Sequence, residues 1–306
     1  MSLDPRIAAV LEVLNAEQPL LTGTAAERRA DIVARRTARG MAPQGPDPAL
    51  HSVEDLWVGD VMVRMYRPSA GRLPALVHLH GGGWWQGDVP EGDLGCSRRA
   101  LMTGAVVLSV EYRLAPENPY PAGLDDCWAA WQHVNAHAEE LGLSRIALGG
   151  GSAGANLAAA TALRAREAGG PVAAGLLLEF PGMDLSFDDE SFDLYGDGYG
   201  FTKAALQECV AFYGGDPTDP LVSPALADLS GLPPTLVTTA EYDPCRDGGE
   251  LFARRMAEAG GDVSLERIDG VCHGCGEMDF LPDLTERYRA IVHGFLDKVL
   301  SAVLSD

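Results

Sequence analysis

The sequence predicts an α/β fold: a mostly parallel central sheet with helices on both faces and a helical cap. Three observations carry that expectation. Short apolar runs at 75–79, 105–110, 146–148, 174–180 and 235–239 are separated by stretches long enough for helices, and strand, helix, strand alternation places helices over a parallel sheet. The chain of 306 residues suits one such unit carrying an extra subdomain. Its 46% apolar and 22% charged residues are those of a globular protein, not a disordered or fibrous one.

Taken in order, Ile7, Val10, Leu11 and Leu14 recur at helical spacing, and a second helix over 24–39 opens on the N-cap residue Thr24. Residues 41–48 hold three prolines and a glycine, which end the helix and read as a linker. Residues 1–50 are therefore expected to form an N-terminal helical cap segment, ahead of one unit over 51–306. From Val53 the period changes to two, through Leu56 and Val58 and then Val61, Val63 and Met65, which predicts an antiparallel hairpin. Helices are expected at 124–141, 155–168, 248–259 and about 286–304. Residues 184–215 break the alternation, mixing Asp and Gly with Phe187, Phe192, Tyr195, Tyr199, Phe201, Phe212 and Tyr213. They read as a cap insertion over a cleft, against the plainer reading of a helical excursion.

With 23 basic and 44 acidic residues the net charge is −21, which repels phosphate backbones and anionic lipid, so neither nucleic acid nor membrane is expected as a partner. The N-terminus lacks a basic region followed by an apolar one, and the expectation is a cytoplasmic protein. Six cysteines in a chain of this size are too sparse for a disulfide framework and read as reduced thiols.

Gly150-Gly151-Ser152-Ala153-Gly154 follows an apolar run and precedes the helix former Ala155-Asn156-Leu157-Ala158. That context puts Ser152 on a tight strand-to-helix turn with its hydroxyl exposed, the position of a nucleophile. His80-Gly81-Gly82-Gly83 closes another strand. Glycine backbone approaches a substrate closely, and acyl transfer needs N–H donors aimed at the oxyanion, so Gly82, Gly83 and Ala153 are the expected donors, with His80 bracing the loop. A serine hydroxyl needs a base, and the base needs a third group to hold it. Asp243 follows the run 235–239, and His273 lies in the loop after the alternating stretch 263–268; Asp247 is the rival for the carboxylate. Trp84 and Trp85 follow the glycines and either line the pocket or pack in the core. Cys272-His273-Gly274-Cys275 lacks a fourth ligand for tetrahedral zinc, so no metal is expected. Two thiols beside His273 instead suggest an activity sensitive to thiol reagents.

Together His80-Gly81-Gly82-Gly83-Trp84, the stretch Glu111-Tyr112-Arg113-Leu114-Ala115-Pro116-Glu117, Gly150 to Ala158, Asp243-Pro244 and His273-Gly274 resemble the bacterial hormone-sensitive-lipase-like esterases over residues 50–300. The resemblance implies an α/β-hydrolase catalytic domain over 51–306, a triad of Ser152, Asp243 and His273, no cofactor, and esters of short or medium acyl chains as small-molecule substrates, with a homodimer left open. It also marks departures. The family reads G-D-S-A-G-G-N, whereas Gly151 stands here in place of the Asp and Ala155 in place of the following Gly; Cys245 and Cys275 replace a Leu and an aromatic. Amidase, lactonase or deacetylase chemistry would use the same machinery, and a receptor without turnover would keep the pocket but lose part of the triad.

Overall fold

The computed structural model describes residues 3–16, 23–40, 42–274 and 281–301. Its strands are β1 (Ser52–Val58), β2 (Val61–Arg67), β3 (Leu73–Leu79), β4 (Val106–Val110), β5 (Leu143–Gly151), β6 (Leu176–Glu179), β7 (Thr235–Tyr242) and β8 (Val263–Cys272). They form one sheet in the order β1-β2-β4-β3-β5-β6-β7-β8. The hairpin β1–β2 and the pair β2–β4 are antiparallel, and every pair from β4 to β8 is parallel.

Around the sheet lie α1 (Pro5–Ala16), α2 (Ala25–Ala38), α3 (Val89–Thr103), α4 (Ala122–Ala136), α5 (Ala153–Glu167), α6 (Glu190–Tyr195), α7 (Lys203–Tyr213), α8 (Arg246–Glu258) and α9 (Pro282–Ser301). Side chains alternate across each strand, and the core divides accordingly. Val77, Leu79, Leu148 and Leu178 pack with Leu124 and Trp131 of α4 and Leu157 and Leu163 of α5. Leu76, Ala147, Leu177 and Leu236 pack with Val292, Leu296 and Val299 of α9 and with Ile7 and Leu11 of α1. Burial on both faces is why the strands read as unbroken apolar runs.

Two elements depart from the sequence reading. The strand expected to end at Ile268 continues to Cys272, because a bulge in β8 after Ile268, which pairs with Ala240, lets Cys272 pair with Tyr242, while the Gly270 N–H donates to the Glu241 carboxylate at 2.8 Å. Helix α3 was not anticipated. Asp88 caps it by accepting the Glu91 N–H at 2.7 Å, and Gly104 closes it in the left-handed conformation, but its buried residues include Asp93, Ser97 and Arg99, which hide the apolar period. Within residues 184–215 the chain forms α6 and α7. Met41 of the linker and residues 302–304 of the last expected helix lie outside the described residues. Among the described residues no helix is long and apolar enough to cross a membrane.

Candidate active site

Ser152 joins β5 to α5 with φ 55° and ψ −118°, a conformation that L-residues adopt only when the surroundings impose it. The imposition is visible: its backbone N–H donates to the carbonyl of Glu179 on β6 at 2.8 Å. Gly154 permits the close start of α5, since a Cβ there would lie 2.0 Å from the carbonyl oxygen of Leu79. The hydroxyl is thus presented at the N-terminus of a helix, where developing negative charge is favoured.

The structure brings Ser152, His273 and Asp243 into one hydrogen-bonded chain. Ser152 Oγ lies 2.9 Å from His273 Nε2, and His273 Nδ1 lies 2.7 Å from Asp243 Oδ2. Asp243 directly follows β7, is 1% exposed, and accepts the Cys245 N–H on its other oxygen at 2.8 Å. Burial alone would lower the His273 pKa, but the charge of Asp243 and its hydrogen bond outweigh it and hold the imidazole above its ordinary value. Phe201 and Phe180 flank the ring, at centroid distances of 5.2 and 6.4 Å. Asp247, the rival carboxylate, is engaged elsewhere, by the Ser191 N–H and the Arg246 guanidinium.

After β3 the chain turns through Gly82, at φ 119°, whose carbonyl accepts the N–H groups of Trp85 and Gln86. The N–H groups of Gly82, Gly83 and Ala153 have no acceptor among the described residues. His80 Nδ1 lies 2.8 Å from the Gly81 carbonyl, its ring stacks on Tyr112 at 4.2 Å, and the Tyr112 hydroxyl donates to the His80 carbonyl. Of the two places open to Trp84 and Trp85, the rings take the core, 5% and 4% exposed. Neither lines the cavity: Trp84 stacks on Tyr213 at 4.6 Å, and the Trp85 indole donates to Cys209 Sγ at 3.2 Å, both on α7. The apolar area of these rings is better buried against that helix than left facing the cleft.

A cavity of about 420 Å³ opens at Ser152 and His273. Part of its lining was not read from the sequence: His78, Ser109, Arg99, Glu179 and Tyr288. Arg99 makes a two-pronged pair with Glu179, at 2.7 and 2.8 Å, and the Tyr288 hydroxyl donates to the same carboxylate. A lone glutamate ending the apolar run Leu176-Leu177-Leu178 was the available signal. Of the thiols beside His273, Cys272 is buried and pushed up to about 11 by that burial, and Cys275 lies outside the described residues. Asp243, Cys245 and His273 bring donor atoms within 4.8 Å of one another, but the Asp243 carboxylate is already engaged by the imidazole and the Cys245 amide.

Comparison with known proteins follows the same lines. A family profile described as the alpha/beta hydrolase fold matches residues 76–277. Carboxylesterase NlhH of Mycobacterium tuberculosis is 38% identical over 88% of this chain and 89% of that protein. An ethyl acetate hydrolase of Pseudomonas putida is 34% identical over 89% and 92%. Among solved structures, the hyperthermophilic esterase of the archaeon Pyrobaculum calidifontis superposes with a TM-score of 0.90 at 34% identity, covering 99% of this chain and 100% of that one.

Proposed function

The chain belongs to the alpha/beta hydrolase family and is a carboxylic ester hydrolase, and on that footing we propose that Ser152, His273 and Asp243 carry out the hydrolysis. The observation that supports the assignment is the unbroken path from the Ser152 hydroxyl through the imidazole to a carboxylate 1% exposed.

In this reading Ser152 Oγ attacks the ester carbonyl while its proton passes to His273 Nε2. The oxyanion forms against the N–H groups of Gly82, Gly83 and Ala153, donors held in place before reaction. Collapse expels the alcohol, which takes the proton from His273 and leaves an acyl-Ser152 ester. Water then gives its proton to His273, attacks the acyl carbon and releases the acid, and the proton returns to Ser152. Asp243 fixes the tautomer and stabilises the imidazolium at both stages. His80 supports the glycine loop. The N-terminal segment 1–50, with α1 and α2, and residues 184–215, with α6 and α7, act as the cap, a reading supported by the Arg28–Glu208 ion pair between α2 and α7 and by Phe201, which lines the cavity beside His273. The acidic balance supports a reading without a nucleic-acid partner.

The test is hydrolysis of p-nitrophenyl esters from acetate upward, by the parent and by Ser152→Ala. Loss of turnover on the order of 10⁶-fold is expected in the variant, with an optimum among short to medium chains. Equal turnover in both proteins would overturn the assignment.

A further inference from the structure

The strand ends beneath Ser152 change character on one face of the sheet. On the side packed by α9 the deeper positions are apolar, with Leu76 on β3, Ala147 on β5 and Leu177 on β6. Two residues on, the same face of β3 and β6 carries His78 and Glu179. His78 pairs in register with Ser109 of β4, and Glu179 pairs with Gly151 of β5. Polar groups are costly to bury unless they are bonded, and these front the cavity beside the nucleophile rather than solvent. Gly151 keeps the space open: a Cβ there would touch nothing within 4 Å, where the resembling esterases carry an Asp.

The chemistry of this chamber is specific. Its guanidiniums are already matched, Arg99 by Glu179 and Arg36 by Glu91 at 2.6 Å, and Asp88 adds a further negative charge to the lining. An anionic group entering would meet excess carboxylate. His78 is pushed down to about 3 by burial and, secondarily, by the charge of Arg99, so its imidazole is neutral and offers one donor and one acceptor. Its Nδ1 has no hydrogen-bond partner among the described residues. A neutral imidazole beside a serine hydroxyl is the complement of an alcohol, which also donates once and accepts.

Resting on the ester-hydrolase reading above, we propose that this chamber is a subsite for an uncharged, hydroxyl-bearing arm of the ester. A pocket built to hydrogen-bond a substrate hydroxyl discriminates strongly against the analogue that lacks it. The hydroxyl belongs either to the acyl or to the alcohol part, and matched pairs separate the two.

The experiment compares kcat/KM for p-nitrophenyl 3-hydroxybutyrate against the butyrate, and for glycerol monoacetate against propyl acetate. In one pair the hydroxylated ester is expected to be favoured by at least about 10-fold. His78→Phe and Gly151→Asp are each expected to bring that ratio to about 1, whereas His78→Gln, which restores a neutral donor and acceptor, retains most of it. The ratio is read within each variant, so a general loss of activity does not imitate the result, and either variant decides if the other fails to fold. Ratios near 1 in both pairs, a preference for a p-nitrophenyl hemisuccinate, or a preference that survives both substitutions would overturn the subsite. Absence of turnover with every ester, or turnover indifferent to Ser152→Ala, would instead strike the assignment of the nucleophile.

Discussion

Ser152 donates its backbone N–H to the carbonyl oxygen of Glu179 at 2.8 Å, so one residue holds the strained elbow through its main chain and closes the cavity floor through its side chain. The elbow conformation costs on the order of 1–3 kcal/mol, and it persists because β6 is held in place from both sides of the cavity, by Arg99 of α3 and Tyr288 of α9.

Arg99→Met removes the cation from a carboxylate that is 4% exposed. A buried charge stripped of its partner costs about 3–5 kcal/mol, so the urea midpoint should fall sharply, and the double variant Arg99→Met/Glu179→Leu should recover most of the loss. An unchanged midpoint in the single variant would show that the pair contributes little.

Asp243→Asn should lower kcat/KM by roughly 10⁴-fold and move its pH profile. The base must be neutral to work, and His273 is held above its ordinary value of 6.5, so parent activity should fall as pH drops through a point above 6.5. Without the carboxylate only burial acts on the ring, and burial lowers its pKa, so the acid limb should shift to lower pH. The linkage sign is that of a raised folded pKa: the pair contributes stability fully below about 6.5 and loses it as pH rises through the folded value. Profiles that coincide would refute the coupling.

Gly82→Ala would put a Cβ 2.0 Å from the Gln86 carbonyl oxygen at φ 119°, so the loop must move. Displacing a single oxyanion donor costs about 10²- to 10³-fold in kcat, and steady-state kinetics beside a thermal melt will separate that loss from unfolding.

Cys272 is buried and its thiol is pushed up to about 11, which leaves little thiolate near neutrality. In a Cys275→Ser background, iodoacetamide at neutral pH should leave esterase activity intact. Rapid inactivation would mean that the strand end opens.

What the sequence made legible was local. The apolar runs became strands because both sheet faces are covered, and Ser152 and Asp243 each sit directly after such a run. Helix α3 escaped because Asp93 and Arg99 point inward to partners on other elements, Tyr66 and Glu179, which no periodicity reveals. The destination of Trp84 and Trp85 depended on where α7 packs. The polar chamber was illegible for a related reason: His78, Ser109 and Glu179 become neighbours only through strand register, and the contribution of Gly151 is a side chain that is not there.

The sheet order carries a kinetic consequence. Ser152 and His273 are 121 residues apart in sequence, and β3 enters between β4 and β5, which follow it in the chain. Parallel pairings of this kind close long loops before they gain contacts, which slows folding. During synthesis the N-terminal portion emerges first, so β8, the strand leading to His273, leaves the ribosome after every other described strand, and the hydrogen-bonded path to Ser152 cannot close before then.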